Sequence, residues 1–120
     1  MKDERFSFSS CPLTRSMAVI GTKWKPIIIW VLQDRKVRFG QLDAYIEFIT
    51  RKVLTEQLKE LEEDGLVIRE SFNESPPRVE YSLTNKGLDL LPMLSKIVEW
   101  YDHYEPNEKY KMIKKEQVEK

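Results

Sequence analysis

Between Thr50 and Asp64, the residues Lys52, Thr55, Glu56 and Lys59 recur at i, i+3, i+4 and i+7, with Arg51 just ahead of them. On a helix these positions share one face, and that face carries donors on long side chains. The chemistry open to it is recognition of a phosphate-lined groove. Ammonium and guanidinium groups donate to phosphate oxygens and base edges, and the helix N-terminus adds its own N–H groups and dipole. The structural alternative is that the polar face of an amphipathic helix is simply solvated, and Glu56, Glu60, Glu62 and Glu63 dilute the charge of this one. The second candidate is Arg78. It follows Asn73-Glu74-Ser75-Pro76-Pro77, so a rigid Pro-Pro turn would thrust it from a hairpin tip toward an adjacent minor groove. Turns commonly carry charge, so neither feature is specific alone. A polar-faced helix followed directly by such a hairpin is far more specific.

Catalytic chemistry has little to draw on. One cysteine, one histidine (His103) and four glycines supply no nucleophile–base pair, no metal set and no phosphate loop. No enzyme activity, metal or cofactor is expected. The single cysteine cannot close an intrachain disulfide, which suits a reducing cytoplasm. Cys11 stands directly before Pro12, at the N-cap of the helix that Pro12 would open. There the dipole and free N–H groups favour a thiolate, and Arg15 adds positive charge. The same residue also reads as a small, buried, inert hydrophobe. With no second cysteine, an oxidant or electrophile response is limited to a Cys11–Cys11 link across a dimer, a mixed disulfide or direct alkylation.

The elements that must position these residues fit one domain. The chain has 120 residues, 41% hydrophobic and 33% charged, enough for a core and too rich in apolar residues for disorder. Net charge is zero, but residues 1–60 carry 11 Lys+Arg against 7 Asp+Glu, and residues 61–120 carry 9 against 13. A groove binder needs a basic face, not a basic total. The longest apolar run, Ile27 to Leu32, is far below the ~18 residues of a membrane span. No apolar stretch follows Met1-Lys2-Asp3-Glu4-Arg5, so secretion is not expected and the cytoplasm is.

Residues 1–10 read as an arm, 11–105 as the domain and 106–120 as a charged tail. Leu13, Met17 and Ile20 make one apolar face of a first helix that Gly21 ends. Trp24 to Leu32 is ambiguous. Its β-branched run favours a strand by propensity, and a buried helix begun near Pro26 fits equally well. Helix is chosen because of the elements downstream in the chain, not from periodicity. A short helix carries Leu42, Tyr45 and Ile46. Thr50 caps the next one, whose Leu54, Leu58 and Leu61 form a stripe closed by Gly65. Leu66–Phe72 and Arg78–Leu83 read as a hairpin, and the chain is helical again from Thr84, with Pro92 at a kink or start. Leu90, Leu94, Ile97, Tyr101 and Tyr104 share one face of that last helix, widened by Leu91, Met93, Val98 and Trp100. This is more apolar surface than one small domain covers, which predicts burial between two subunits.

Cys11-Pro12, Gly21-Thr22-Lys23-Trp24, Arg38-Phe39-Gly40-Gln41-Leu42, Leu54 to Leu66 and Pro77-Arg78-Val79-Glu80-Tyr81-Ser82-Leu83-Thr84 follow one another in the order of the HxlR family of MarR-like regulators, which the chain resembles from about Cys11 to Trp100. The resemblance implies a mostly helical α+β fold: a winged helix-turn-helix with a two-stranded hairpin wing and a long C-terminal dimerisation helix. It implies a DNA-binding homodimer on a near-palindromic site, with a recognition helix at 50–64 and a wing at 73–78. The expected DNA contacts are Lys23, Arg38, Thr50, Arg51, Lys52, Thr55, Lys59 and Arg78. Lys23 reads equally as a lysine snorkelling beside Trp24, and Arg38 as a surface ion-pair partner. Leu13, Met17, Ile20, Leu90, Leu94, Ile97, Trp100, Tyr101 and Tyr104 would line the dimer. Some family members sense oxidants through a cysteine at the Cys11 position; the second cysteine of the two-cysteine pattern is missing here. A winged helix used only for protein contact is the rival reading.

Overall fold

The computed structural model describes residues 10–105. The expected tail at 106–120 and all of the arm but Ser10 lie outside them. Helix α1 (Pro12–Ile20) leads to α2 (Lys25–Leu32), a short strand β1 (Val37–Arg38), α3 (Phe39–Tyr45) and α4 (Arg51–Glu63). The hairpin strands β2 (Val67–Phe72) and β3 (Arg78–Leu83) come next, then α5 (Asn85–Leu88) and the long α6 (Leu90–Tyr104). The ambiguous Trp24–Leu32 segment is helical. Its Ile28, Ile29 and Leu32 are fully enclosed, and a helix pairs its own backbone groups inside such a core where a strand would need neighbours on both edges. Arg35 finishes α2, donating from Nε and Nη2 to the Val31 carbonyl at 3.2 and 2.9 Å.

The wing hairpin belongs to a larger sheet than the sequence suggests. β1 joins it, giving the antiparallel order β1-β3-β2, with Val37 opposite Tyr81 and Arg38 opposite Glu80. β2 and β3 pair from Val67↔Leu83 to Phe72↔Arg78. Two residues carry too little pattern to announce a strand, so β1 exists only because β3 offers it an edge. Pro92 falls in the first turn of α6, where its missing N–H costs nothing.

The core is built where the helices meet the sheet. Ile28, Ile29, Leu32, Leu42, Leu54, Leu58, Leu61 and Leu66 are its most enclosed large side chains. The α4 stripe supplies three of them, so this helix is fixed along its length. Its ends are fixed too. The Thr50 hydroxyl accepts from the Val53 N–H at 3.1 Å. At the other end Gly65 takes φ +74, its N–H reaching Glu62 O at 3.0 Å while Leu66 N–H reaches Leu61 O at 2.9 Å, a Schellman closure. The turn after β3 locks onto that closure: Thr84 Oγ1 donates to Gly65 O at 2.6 Å and Lys86 Nζ to Asp64 O at 2.8 Å. A Cβ on Gly87 would overlap the Leu66 carbonyl, so the close approach there requires glycine.

Candidate nucleic-acid interface

The polar face of α4 is as exposed as its spacing requires: Arg51, Lys52, Thr55 and Lys59 all lie in solvent. Its first turn holds Arg51 and Lys52 and no acidic residue. Two cations at the positive end of a helix dipole are unfavourable for the isolated fold, where a carboxylate would stabilise. The same arrangement is favourable once an anion sits there. Lys52 and Lys59 make no ion pair among the described residues. Thr55 Oγ1 donates back to the Arg51 carbonyl at 2.8 Å, which leaves its oxygen able to accept.

Arg51 is tethered sideways. Its Nε lies 3.6 Å from Asp43 Oδ2 on α3, and its guanidinium sits 5.4 Å from the Phe39 ring centre. Arg38, next to Phe39, opens α3: its N–H donates to Gln41 Oε1 at 3.1 Å, and its Nε stands 4.0 Å from Glu80 Oε2. Glu80 also takes Arg78, whose Nε is 3.3 Å from the same oxygen. A continuous line therefore runs from the start of α4, through Asp43 and Phe39, to Arg38, Glu80 and Arg78.

Arg78 does not stand where a tip residue would be thrust outward. It is the first residue of β3, with its side chain only a quarter exposed. Its guanidinium lies over the Phe72 ring at 4.1 Å, and Nη2 meets Glu74 Oε2 at 3.1 Å. Cross-strand pairing with Phe72 and the flanking carboxylates draw it back onto the hairpin. Its buried Nε has the right distance to Glu80 and the wrong angle for a hydrogen bond, so one donor remains unspent. Glu80 also faces Glu70 across the ladder, a like-charge pair that Lys36 relieves by meeting Glu70 at 3.0 Å.

Lys23 extends over Trp24, its ammonium 4.7 Å from a ring centre, and stays exposed. The residue that sequence reasoning missed is Lys25. It is 3% exposed, and its Nζ meets Glu60 Oε1 of α4 at 2.6 Å. Beside it Thr22 Oγ1 donates to Gln57 Oε1 at 2.6 Å and accepts from the Lys25 N–H at 3.1 Å. These bonds join the start of α2 to the middle of α4 and set the angle at which α4 presents its polar face. The available signal was a lysine at the head of an otherwise apolar helix, with a carboxylate opposite only after folding.

The expected subunit residues divide. Ile20 and Leu94 are buried in the chain's own core, and Leu90 packs partly against it. Leu13, Met17, Ile97, Trp100, Tyr101 and Tyr104 are exposed, with Trp100 at 65% and Tyr104 at 68%. Trp100 and Tyr104 rings lie 6.2 Å apart, and His103 meets Tyr104 edge-on at 4.7 Å. Cys11 is the N-cap of α1 and is 7% exposed. Its thiol is held below the usual range, chiefly by the Thr14 hydroxyl and then the Thr14 N–H, against an opposing cost of burial, with the Leu13 N–H adding least. Among the described residues no group of His, Cys, Asp and Glu is placed to hold a metal ion, and no helix is long and apolar enough to cross a membrane.

A short helix, a capped helix with an exposed cationic face and a hairpin behind it define a winged helix-turn-helix protein. The HxlR-like helix-turn-helix family model matches residues 19–109. An uncharacterised HTH-type transcriptional regulator of Halalkalibacterium halodurans is 49% identical over 90 residues, 74% of this chain and 80% of the relative. A MarR-family transcriptional regulator from Porphyromonas gingivalis superposes with a TM-score of 0.77 at 36% identity, covering 87% of this chain and all of the other. The redox regulator HypR in its reduced form gives 0.74 at 41% identity, covering 79% of this chain and 94% of the other. The chain belongs to the HxlR family and is a helix-turn-helix transcriptional regulator.

Proposed function

We propose that the chain acts in the cytoplasm as a non-catalytic homodimer that binds a near-palindromic duplex operator. In this reading α4 enters the major groove, presenting Arg51, Lys52, Thr55 and Lys59, while Thr50 and the first N–H groups of α4 meet a phosphate. Lys23 and Arg38 hold the backbone on either side, and Arg78 reaches the flanking minor groove after leaving Glu74 and Glu80. The observation that carries the reading is the acid-free first turn of α4, with Arg51 and Lys52 at the positive end of a dipole. The exposed apolar faces of α1 and α6 support a subunit interface that sets two recognition helices about one DNA turn, ~34 Å, apart.

The test is binding of the purified protein to the intergenic DNA upstream of its own gene across a salt series. Specific retardation is expected, with log K falling steeply as log salt rises. Salt-independent behaviour or no duplex binding would favour the protein-contact alternative. A monomer at micromolar concentration by sedimentation would remove the dimer.

Cys11 is the position we propose for an oxidant or electrophile response. Its lowered thiol and its place at the head of α1, on the proposed subunit face, support the reading. Diamide or a quinone should release wild-type protein from DNA and leave Cys11→Ser bound. Equal release of both would assign the response elsewhere; retention of both would remove it. A thiol lowered in the fold also adds stability that is full above the ordinary thiol range and is lost as pH falls through the folded value. Cys11→Ser should flatten that pH dependence.

A further inference from the structure

Between α3 and α4 the chain runs Ile46-Glu47-Phe48-Ile49-Thr50. Ile46 and Ile49 are buried in the core and pin this turn from both sides. Phe48, between them, is 91% exposed, more than any other large apolar side chain among the described residues. Its backbone takes φ +67, the left-handed region that glycine and asparagine tolerate and a bulky aromatic does not. At the far end of the same helix the left-handed position is filled by Gly65. Phe48 thus carries a conformational cost and a solvation cost at once, and the core gains nothing from either.

Most of the other exposed large apolar residues sit on α1 and α6, and α6 packs mainly on α2 and α5. Phe48 instead stands two residues before the Thr50 cap and three before Arg51, in the turn that leads into the helix carrying the cationic face. We propose that Phe48 determines sequence specificity: its ring covers the C5-methyl group of a thymine at the major-groove edge, beside the bases approached from the first turn of α4. The major groove presents that methyl as its one apolar feature, and a phenyl ring is a suitable cover for it. The proposal rests on the DNA-binding reading above.

The experiment selects duplex sequences with wild-type protein, then measures wild type, Phe48→Asn and Phe48→Tyr on the selected site and on copies carrying uracil for each thymine in turn. Asparagine suits the left-handed backbone, so Phe48→Asn is expected to fold with a Tm equal to or above wild type. It should bind more weakly and lose preference at one symmetric thymine; Phe48→Tyr should keep both. Uracil at that position should weaken wild type about fourfold, the worth of one buried methyl group, and leave Phe48→Asn unaffected. If wild type selects a site and Phe48→Asn binds it equally well, or uracil penalises both alike, the assignment of Phe48 is overturned while the DNA-binding reading stands. An effect of Phe48→Asn on self-association alone would make Phe48 a subunit contact and overturn it too. If wild type selects no sequence, the DNA-binding reading falls and takes this one with it.

Discussion

Helix α4 and the wing hairpin hold their cations in different ways. On α4, Lys52 and Lys59 are unpaired among the described residues, and the helix beneath them is held by three enclosed leucines, a threonine cap, a glycine closure and the Lys25–Glu60 contact. On the hairpin, Arg78 lies against Phe72, Glu74 and Glu80, on strands that are mostly half-exposed. The first region is the more preorganised: its scaffold is fixed, Lys52 and Lys59 have no ion pair among the described residues to give up before meeting an anion, and only Arg51 would have to leave a carboxylate, that of Asp43. To bind as proposed, the second would have to exchange internal partners for external ones, and only the difference would contribute to binding. In the proposed complex the two regions would divide a task, with fixed placement on one side and adjustable grip on the other.

The largest effect should come from the scaffold of α4. Leu58→Ala removes a fully enclosed side chain and should cost about 2–5 kcal/mol in a denaturant titration. The same truncation at half-buried Val79 of the wing should cost much less. Equal losses would erase the contrast in rigidity.

The buried cation should be asymmetric. Glu60→Ala strands the Lys25 ammonium away from water and should cost up to about 3 kcal/mol. Lys25→Met leaves Glu60, half in solvent, to be hydrated and should be near neutral in stability. If Glu60→Ala is also neutral, the pair does not orient α4.

Arg51→Ala or Lys52→Ala should weaken operator binding by about 1–3 kcal/mol if the lost contact is bidentate to a base, with Tm nearly unchanged. Normal affinity in both folded variants would move the interface away from this turn.

The smallest effect sharpens the comparison most. Glu80→Gln releases Arg38 and Arg78 and relieves the facing Glu70, so operator affinity should rise, by less than about 1 kcal/mol. Weaker binding would mean that Glu80 aims the arginines and does not hold them back.

Several parts of this molecule were legible without coordinates because their causes are local. The leucines of α4 recur with the helical period, Thr50 caps its start, and Gly65 sits where only a left-handed residue closes it. Each depends on neighbours within a few positions in the chain, so spacing alone places α4 and its exposed face. The hairpin was legible for the same reason, from alternation and a proline-bearing turn.

What tertiary structure decided depends on partners far away in sequence. An all-apolar run has no periodic signature, so Trp24–Leu32 is settled as a helix only by being enclosed on every side. β1 exists because β3 offers an edge. Lys25 finds Glu60, and Thr22 finds Gln57, 35 positions away in each case. Ile20 and Leu94, which lie on the apolar stripes of α1 and α6, turn into the chain's own core, a placement that spacing does not encode. Glu74 is near Arg78 in sequence, but whether it leaves the guanidinium outward or draws it onto the hairpin is fixed by Glu80 and Phe72 across the turn. Sequence period sets which face of an element is polar; only packing sets what that face meets, because side-chain partners are chosen by distance in space.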